Sequence, residues 1–597
     1  MPNTVATPAT PGTEEHAWRA DDRVDPYLRT ALALDWVDHD VTQSGMRLTF
    51  ELQPGCAVSA LRGQLSTHDR VCSHWRGEHA VFGTAWLSLA SARRWAAGGP
   101  PACVARFEVG MPWRDGRSDR SALPALSASV PVRTQPCPSA ATSPSLRVII
   151  DHGCPFAHPG LRRPDGQTQI LRLWDQDMAP ELGDLARRPE PWAYGADLDR
   201  SELTRLLQEA EGDEARCYAR MGYRALQRRA VHGAHVLGHM VSEPADDVVF
   251  VQLPRAQLQT LSRAALMPYV LDGAMYALSV AAPGTRVIVN LSLEAYDGPH
   301  DAVSLWACAL QALVWHAREV HRVRWTWVVA AGNAASLNVN ATVPLPADVP
   351  QTLIWRVPPA SEHVAWLELW WPEAMGALSL CLTAPGEAKG WQVPAGALTA
   401  WPSWGQPACL VAYPQAVTPS GRCLMVRLAP TSGGLTHQGI ATAGDWKLQL
   451  HSPVAGTVRA YLARVWQGLG GHARGVQGRL LVGEDMGEHI GAMAQHDLMR
   501  PETPPRSDSL NGLACDMDGL VVAQAMQWQA GQLTQTAYSG RGRARAVSAH
   551  LCETSALLHG LRGWGALGGQ SVRMNGTSVA APQAVRALAW ADRRAPP

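Results

Sequence analysis

Four residues have the types and local settings that acyl transfer needs. Asp151 ends the apolar run Val148-Ile149-Ile150 and is followed by His152-Gly153. That puts its carboxylate at the carboxyl end of a buried strand, where open α/β sheets collect functional groups. His232 opens His232-Gly233-Ala234-His235-Val236-Leu237-Gly238, whose glycines allow a helix to pack closely. Asn333 follows the strand-like Val328–Ala331 through Gly332, again at a carboxyl end. Ser578 lies in Asn575-Gly576-Thr577-Ser578-Val579-Ala580-Ala581-Pro582. A proline is tolerated in a helix's first turn, so Ser578 is expected at a helix N-terminus, where N–H groups favour developing negative charge. A neutral serine is a poor nucleophile at neutral pH and needs an adjacent base, for which imidazole is the best match. A buried carboxylate fixes the imidazole's tautomer, and an amide with a backbone N–H can hold an oxyanion, each such donor being worth about 3 kcal/mol.

Stepping outward, the elements that must carry these residues alternate between strand and helix. Leu146–Ile150, Asp247–Val251, Arg286–Asn290 and Trp327–Ala331 read as buried strands. Residues 201–230, 256–280 and 303–320 read as helices between them, and a last helix is expected from Ser578 to Arg593. Strands alternating with helices predict a parallel sheet covered on both faces.

Two further regions differ in style. Arg47–Leu52, Ala80–Phe82 and Val104–Val109 read as strands around a short helix, Leu89–Ala97, capped by Ser88 and stopped by Gly98-Gly99-Pro100-Pro101, which makes a small α+β module. After about residue 345 the text turns Trp-rich and alternating, in Val364–Leu369, Ala377–Leu382, Leu424–Leu428, Trp446–Leu450 and Val458–Val465, with Gly/Pro turns and no helix. An antiparallel β-sandwich inserted into the α/β domain is the reading. The expected organisation is a disordered or extended 1–45, an α+β module at 46–122 and a Ser/Pro-rich linker at 123–145. The α/β domain follows at 146–344 and 510–597, with the sandwich at 345–509 between its halves.

The quoted pieces resemble the signatures of the subtilases, the subtilisin-like serine proteases. Val148–Gly153, His232–Val236 and Gly576–Pro582 match the family's Asp, His and Ser motifs, in that chain order. Asn333 in Val329-Ala330-Ala331-Gly332-Asn333 matches its oxyanion asparagine, and Val289-Asn290-Leu291-Ser292-Leu293 the strand lining its substrate cleft. The resemblance covers about 146–340 and 510–595. It implies Ser578 as nucleophile, His232 as general base and then acid, Asp151 as the group orienting His232, and Asn333 with the Ser578 N–H as oxyanion hole. Ser292, Leu293, Glu294 and Gly332 would line the substrate site, and His235 would pack or hydrogen-bond without a catalytic role. The fold implied is α/β: a subtilisin-like parallel sheet with helices on both faces, interrupted by an inserted antiparallel β-sandwich of jelly-roll type and preceded by a prodomain-like α+β module that templates folding and plugs the cleft. The separation of 245 positions from Asn333 to Ser578 leaves room for the insertion.

Departures from the pattern carry information too. His152 stands where a small hydroxyl residue normally supports the Asp, and Leu293-Glu294-Ala295 replaces Leu-Gly-Gly, putting side chains on the cleft wall. Glu294 is expected either to favour basic substrate residues or to stand solvated. The reading is a regulated or maturation serine endopeptidase acting on a protein or peptide substrate, with a regulatory protein partner that frees the cleft. The alternative is a catalytically silent scaffold that binds a protein through the cleft and sandwich.

Composition narrows the field. The 597 residues carry 52 Lys+Arg against 52 Asp+Glu, a balance without the global field that would favour nucleic acid or a membrane surface. Only Lys389 and Lys447 are lysines, which reads as GC-rich bacterial coding. No run of about 18 uncharged apolar residues is visible, nor a basic-then-apolar leader, so the expectation is cytoplasmic. Twelve scattered Cys without a C-x-x-C suit reduced core thiols. No cofactor is expected for catalysis and no metal site is assigned. The resemblance allows structural calcium, but Asp516-Met517-Asp518-Gly519 lacks the twelfth-position Glu of a calcium loop and reads as a turn.

Overall fold

The computed structural model describes residues 23–33, 46–74, 82–110, 132–133, 145–177, 188–221, 226, 229–241, 243, 246–254, 262–464, 477–482, 506–529, 531–542, 547–551 and 560–594, with short breaks at 362–363, 403–406, 415–416, 433–438 and 507. At its centre is a nine-stranded mixed sheet whose parallel core runs Leu520–Gln529, Arg324–Ala330, Arg286–Leu291, Ser145–Asp151, Asp247–Gln252, Ile170–Asp175. These strands are apolar on both faces because both are covered. The helices His232–Met240 and Thr577–Arg594 pack on one face, through Val236, Leu237, Val579, Ala580 and Ala584 against Ile149, Phe250 and Val328. Arg263–Val280 and Leu305–Glu319 cover the other, through Leu266, Val270, Leu310 and Leu313 against Val148, Val289 and Trp327.

The N-terminal sheet is four-stranded and antiparallel, in the order Arg70–His74, Phe82–Leu87, Met46–Leu52, Val104–Gly110. Its helix, Leu89–Gly98, starts where expected, with the Ser88 side chain accepting the Ser91 N–H. The sheet lies on the Arg263–Val280 helix and is pinned there by buried charge. Arg47 ion-pairs with Asp272, which also accepts from Thr84 Oγ1 at 2.5 Å and Tyr194 OH at 2.8 Å. The Arg47 guanidinium stands 4.8–5.0 Å from the rings of Trp86, Tyr194 and Tyr269.

Two antiparallel sheets form the inserted block. One is six-stranded, from Asn340–Leu345 to Leu398–Pro402, and the other five-stranded, from Trp391–Val393 to Arg479–Val482, with Leu367, Leu369, Val426, Trp355, Leu448 and Leu450 among the side chains packed between them. Residues of the outer face, Trp366, Trp370, Leu410 and Met425, share an apolar cluster with Leu48, Phe50 and Tyr27 of the N-terminal region. That region is therefore wedged between the α/β sheet's helices and the insertion.

Several expectations need correction. The N-terminal 45 residues are not extended throughout: Pro26–Ala33 is a helix, with Tyr27 and Leu28 buried and Tyr27 OH donating to Glu368 Oε1 at 2.7 Å. Its apolar face was too short to register as periodic. Strand pairing in the insertion begins at Asn340, ahead of the expected 345, because Asn340–Leu345 pairs with Gly456–Leu462. The linker reading at 123–145 falls outside the described residues except for Val132–Arg133, which bridges to Arg188–Pro189, and Ser145, which opens a core strand. No helix among the described residues is long and apolar enough to cross a membrane.

Candidate active site

Adjacent parallel strands end side by side, and this brings the candidate residues together. Asp151 closes Ser145–Asp151, Ser292 follows Arg286–Leu291, and Asn333 follows Arg324–Ala330. The chain then turns sharply. Gly153 has φ +92° and would place a Cβ 2.1 Å from Val231, while the Gly233 N–H donates to His152 O at 3.0 Å, so the helix starting at His232 sits directly on the Asp151 turn. A Cβ on Gly233 would come within 2.6 Å of His152 O, which accounts for the glycine.

His232 Nδ1 lies 2.8 and 2.9 Å from the two carboxylate oxygens of Asp151, which is 1 % exposed. Asp151 Oδ1 also accepts the His152 N–H at 2.7 Å. A backbone donor thus supplies support that the His152 side chain, directed instead at Leu253 O, does not. With Nδ1 committed to the carboxylate, Nε2 of a neutral ring is the acceptor. Burial works against charging this ring, but the charge and hydrogen bond of Asp151, helped by Glu294, leave its pKa raised above the usual imidazole value. His235, one turn on, is buried with Nε2 3.1 Å from Leu561 O, and burial pushes it down to about 4.

Ser578 is the second residue of the Thr577–Arg594 helix. Pro582 lies in that helix's second turn, past the first-turn position expected for it, and it has no N–H to offer the carbonyl four residues back. That carbonyl belongs to Ser578, and it accepts the Ser292 hydroxyl at 2.9 Å. In return Ser578 Oγ donates to Ser292 O at 3.1 Å. The expected Ser578–His232 hydrogen bond is absent here: among the described residues Ser578 Oγ bonds Ser292 O, and His232 bonds Asp151.

Asn333 is held by Thr577, for which the sequence suggested no role, and by Glu294, which was expected to line the substrate site. Its Oδ1 accepts from Thr577 N–H at 2.8 Å and Thr577 Oγ1 at 3.2 Å, and Thr577 Oγ1 accepts the Gly332 N–H at 3.0 Å. Because Thr577 N is a donor, the atom facing it must be the amide oxygen, and Nδ2 is left as the available donor. The hydroxyl immediately before a helical serine was the signal for Thr577. Gly332, at φ +95°, is buried and has both backbone polar groups engaged, its carbonyl by the Gly540 N–H at 2.9 Å. A side chain there would strike the Tyr296 hydroxyl at 2.3 Å. Leu293 packs into the core. Glu294 is neither solvated nor open to a basic ligand: Oε2 accepts the Asn333 N–H at 2.7 Å, and Oε1 stands 3.2 Å from Arg464 Nε. Among the described residues no group of three or more His, Cys, Asp or Glu is arranged to hold a metal.

Fold and site together define an α/β protein with a polar constellation at the strand ends and a β-sandwich insertion. No family model matches the chain, and no curated protein matches it. Among solved structures it is similar to the CspB protease of Clostridium perfringens, at 16 % identity and a TM-score of 0.50, over 76 % of this chain and 84 % of that one. That likeness is one of fold. The epidermin leader peptide processing serine protease of Staphylococcus aureus, EpiP, matches at 12 % identity and a TM-score of 0.25 over 49 % of this chain and 60 % of its own.

Proposed function

We propose that the chain is a subtilisin-like serine endopeptidase that hydrolyses peptide bonds of a protein substrate through an acyl-enzyme on Ser578. The observation that carries the reading is the Asp151–His232 pair at 2.8 Å, standing in one strand-end cluster with a helix-terminal serine and an asparagine whose Nδ2 is undirected. Rotation of Ser578 about χ1 releases Oγ from Ser292 O. Oγ then attacks the substrate carbonyl and its proton passes to His232 Nε2. The oxyanion takes hydrogen bonds from Asn333 Nδ2 and the Ser578 N–H, one of the donors that helix geometry leaves unpaired. The imidazolium, stabilised by Asp151, protonates the leaving amine, and a water activated by the same base clears the ester. The N-terminal sheet would act as a prodomain, and its tight seating on the Arg263–Val280 helix favours a regulated or maturation enzyme over a broad digestive one.

A fluorophosphonate probe tests the reading. The full chain is expected to be labelled and Ser578→Ala to stay unlabelled; labelling of neither, after proteolytic nicking within 111–144 as well, defeats it. The silent-scaffold alternative draws on the Ser578 hydroxyl being tied to Ser292 O, and that second outcome is the one it predicts.

A further inference from the structure

Glu294 and Arg464 meet across 170 residues of sequence at the edge of this site, and neither has a part in the chemistry above. Their side chains are 14 % and 7 % exposed. A carboxylate withdrawn this far from water is costly unless each oxygen has a partner. Both do, in different ways: Oε2 accepts the Asn333 N–H, and Oε1 is ion-paired with Arg464 Nε at 3.2 Å without a hydrogen bond. Two residues further on the same segment, the fully buried Tyr296 hydroxyl accepts the Ala334 N–H at 3.2 Å. The 294–296 segment therefore holds two consecutive amides of the loop that carries Asn333. With Oδ1 anchored on Thr577, Asn333 is fastened at its backbone and at its side-chain oxygen, and only Nδ2 is left to turn outward. Arg464 lies just beyond the Gly456–Leu462 strand, so the tie reaches into the β-sandwich.

We infer that Glu294 and Arg464 are a positioning pair, in which the carboxylate sets the Asn333 peptide for oxyanion binding and Arg464 couples that setting to the inserted sandwich. The inference rests on the proposed serine-peptidase reading for its kinetic consequence, though not for its structural one. It also removes Glu294 as a selector of basic substrate side chains, since both carboxylate oxygens are engaged. The charged and titratable groups facing His232 are Asp151 from the neighbouring strand, Glu294, and His235 on its own helix. Loss of the Glu294 charge should therefore also move the acid limb of activity to lower pH, which a purely structural role would not do.

The test uses the full chain and a fluorophosphonate probe, separating the maximal labelling rate from the probe's half-saturating concentration. Glu294→Ala is expected to slow labelling about tenfold or more with half-saturation changed less than about twofold, because misplacing a preorganised donor costs rate and not binding. In Glu294→Gln the amide oxygen still accepts from Asn333, but its NH2 faces the guanidinium. The Glu294→Gln, Arg464→Met double variant should accordingly label faster than either single variant. Hydrogen exchange of the 331–337 peptide, read by mass spectrometry, should quicken in Glu294→Ala and not in Ser578→Ala. Unchanged labelling and exchange in Glu294→Ala, additive single effects, or a peptide-library preference for Lys and Arg that Glu294→Gln erases would each overturn the pair. If wild type and Ser578→Ala are alike unlabelled, the peptidase reading fails, and the exchange measurement still decides whether Glu294 holds the Asn333 loop.

Discussion

At the strand ends His232 has Nε2 and Asn333 has Nδ2 without a hydrogen-bond partner among the described residues, whereas beneath the N-terminal sheet Arg47 and Asp272 are buried, charge against charge, with two hydroxyls and three aromatic rings closing around them. Both places set polar residues among apolar packing. In the first, a few donors and acceptors are left facing outward by fastening every other atom of the same side chain. In the second, each charge has a counter-charge, and Arg47 Nε and Nη1, buried without a hydrogen-bond partner among the described residues, are shut in by aromatic rings. Chemistry needs an atom with unused bonding capacity held still and within reach; a fastening needs its charge balanced and closed off.

Breaking the fastening should have the largest effect. Arg47→Met strands the Asp272 carboxylate in the interior, and a loss of about 3–5 kcal/mol in unfolding free energy is expected. Urea titration of the full chain measures it, and a loss below about 1 kcal/mol would mean the ion pair is not what seats the N-terminal sheet. At the open site, Asn333→Ala removes the free Nδ2 donor together with the Oδ1 that accepts from Thr577. It should cut the fluorophosphonate labelling rate about 10²–10³-fold while costing only about 1–3 kcal/mol of unfolding free energy, less than Arg47→Met. A large stability loss there would erase the distinction between the two regions.

The smallest predicted effect sharpens the contrast by pH. In the proposed mechanism His232 must be neutral to act as base, and its pKa is raised, so labelling should fall on acidification with a midpoint above the usual 6.5. His235, His239 and His300 are pushed by burial to about 4, 4 and 3. Because these depressed groups bind protons in the unfolded chain before they do in the native one, stability should decline as pH drops from about 6.5 towards 4. Activity is thus expected to go first, with circular dichroism unchanged, and unfolding to follow at lower pH. If the two fall together, the activity loss reports unfolding and not the titration of His232.

The parts legible in the sequence were those written locally. Asp151 and Asn333 could be placed at strand ends because an apolar run followed by glycine marks the end of a buried strand, and Ser578 does start a helix, although Pro582 sits a turn further into it than the reading assumed. Ser88 announced its helix because its side chain can accept the Ser91 N–H. The helix Pro26–Ala33 was missed, since eight residues give two turns and its burial comes from Tyr27 meeting Glu368, 341 positions away. The role of Glu294 was misread because a glutamate on a cleft wall looks solvated until its partner is known.

By itself, then, the sequence marked out the α/β and β-rich segments and put the candidate residues at strand and helix ends, because strand and helix periodicity and turn glycines act over a few residues. Only the tertiary structure decided which polar groups pair: Arg47 with Asp272, Glu294 with Arg464, and the Ser578 hydroxyl with the Ser292 carbonyl in place of His232. Such pairings depend on which surfaces the sheets bury against one another, and a buried charge takes whichever partner that packing brings within reach.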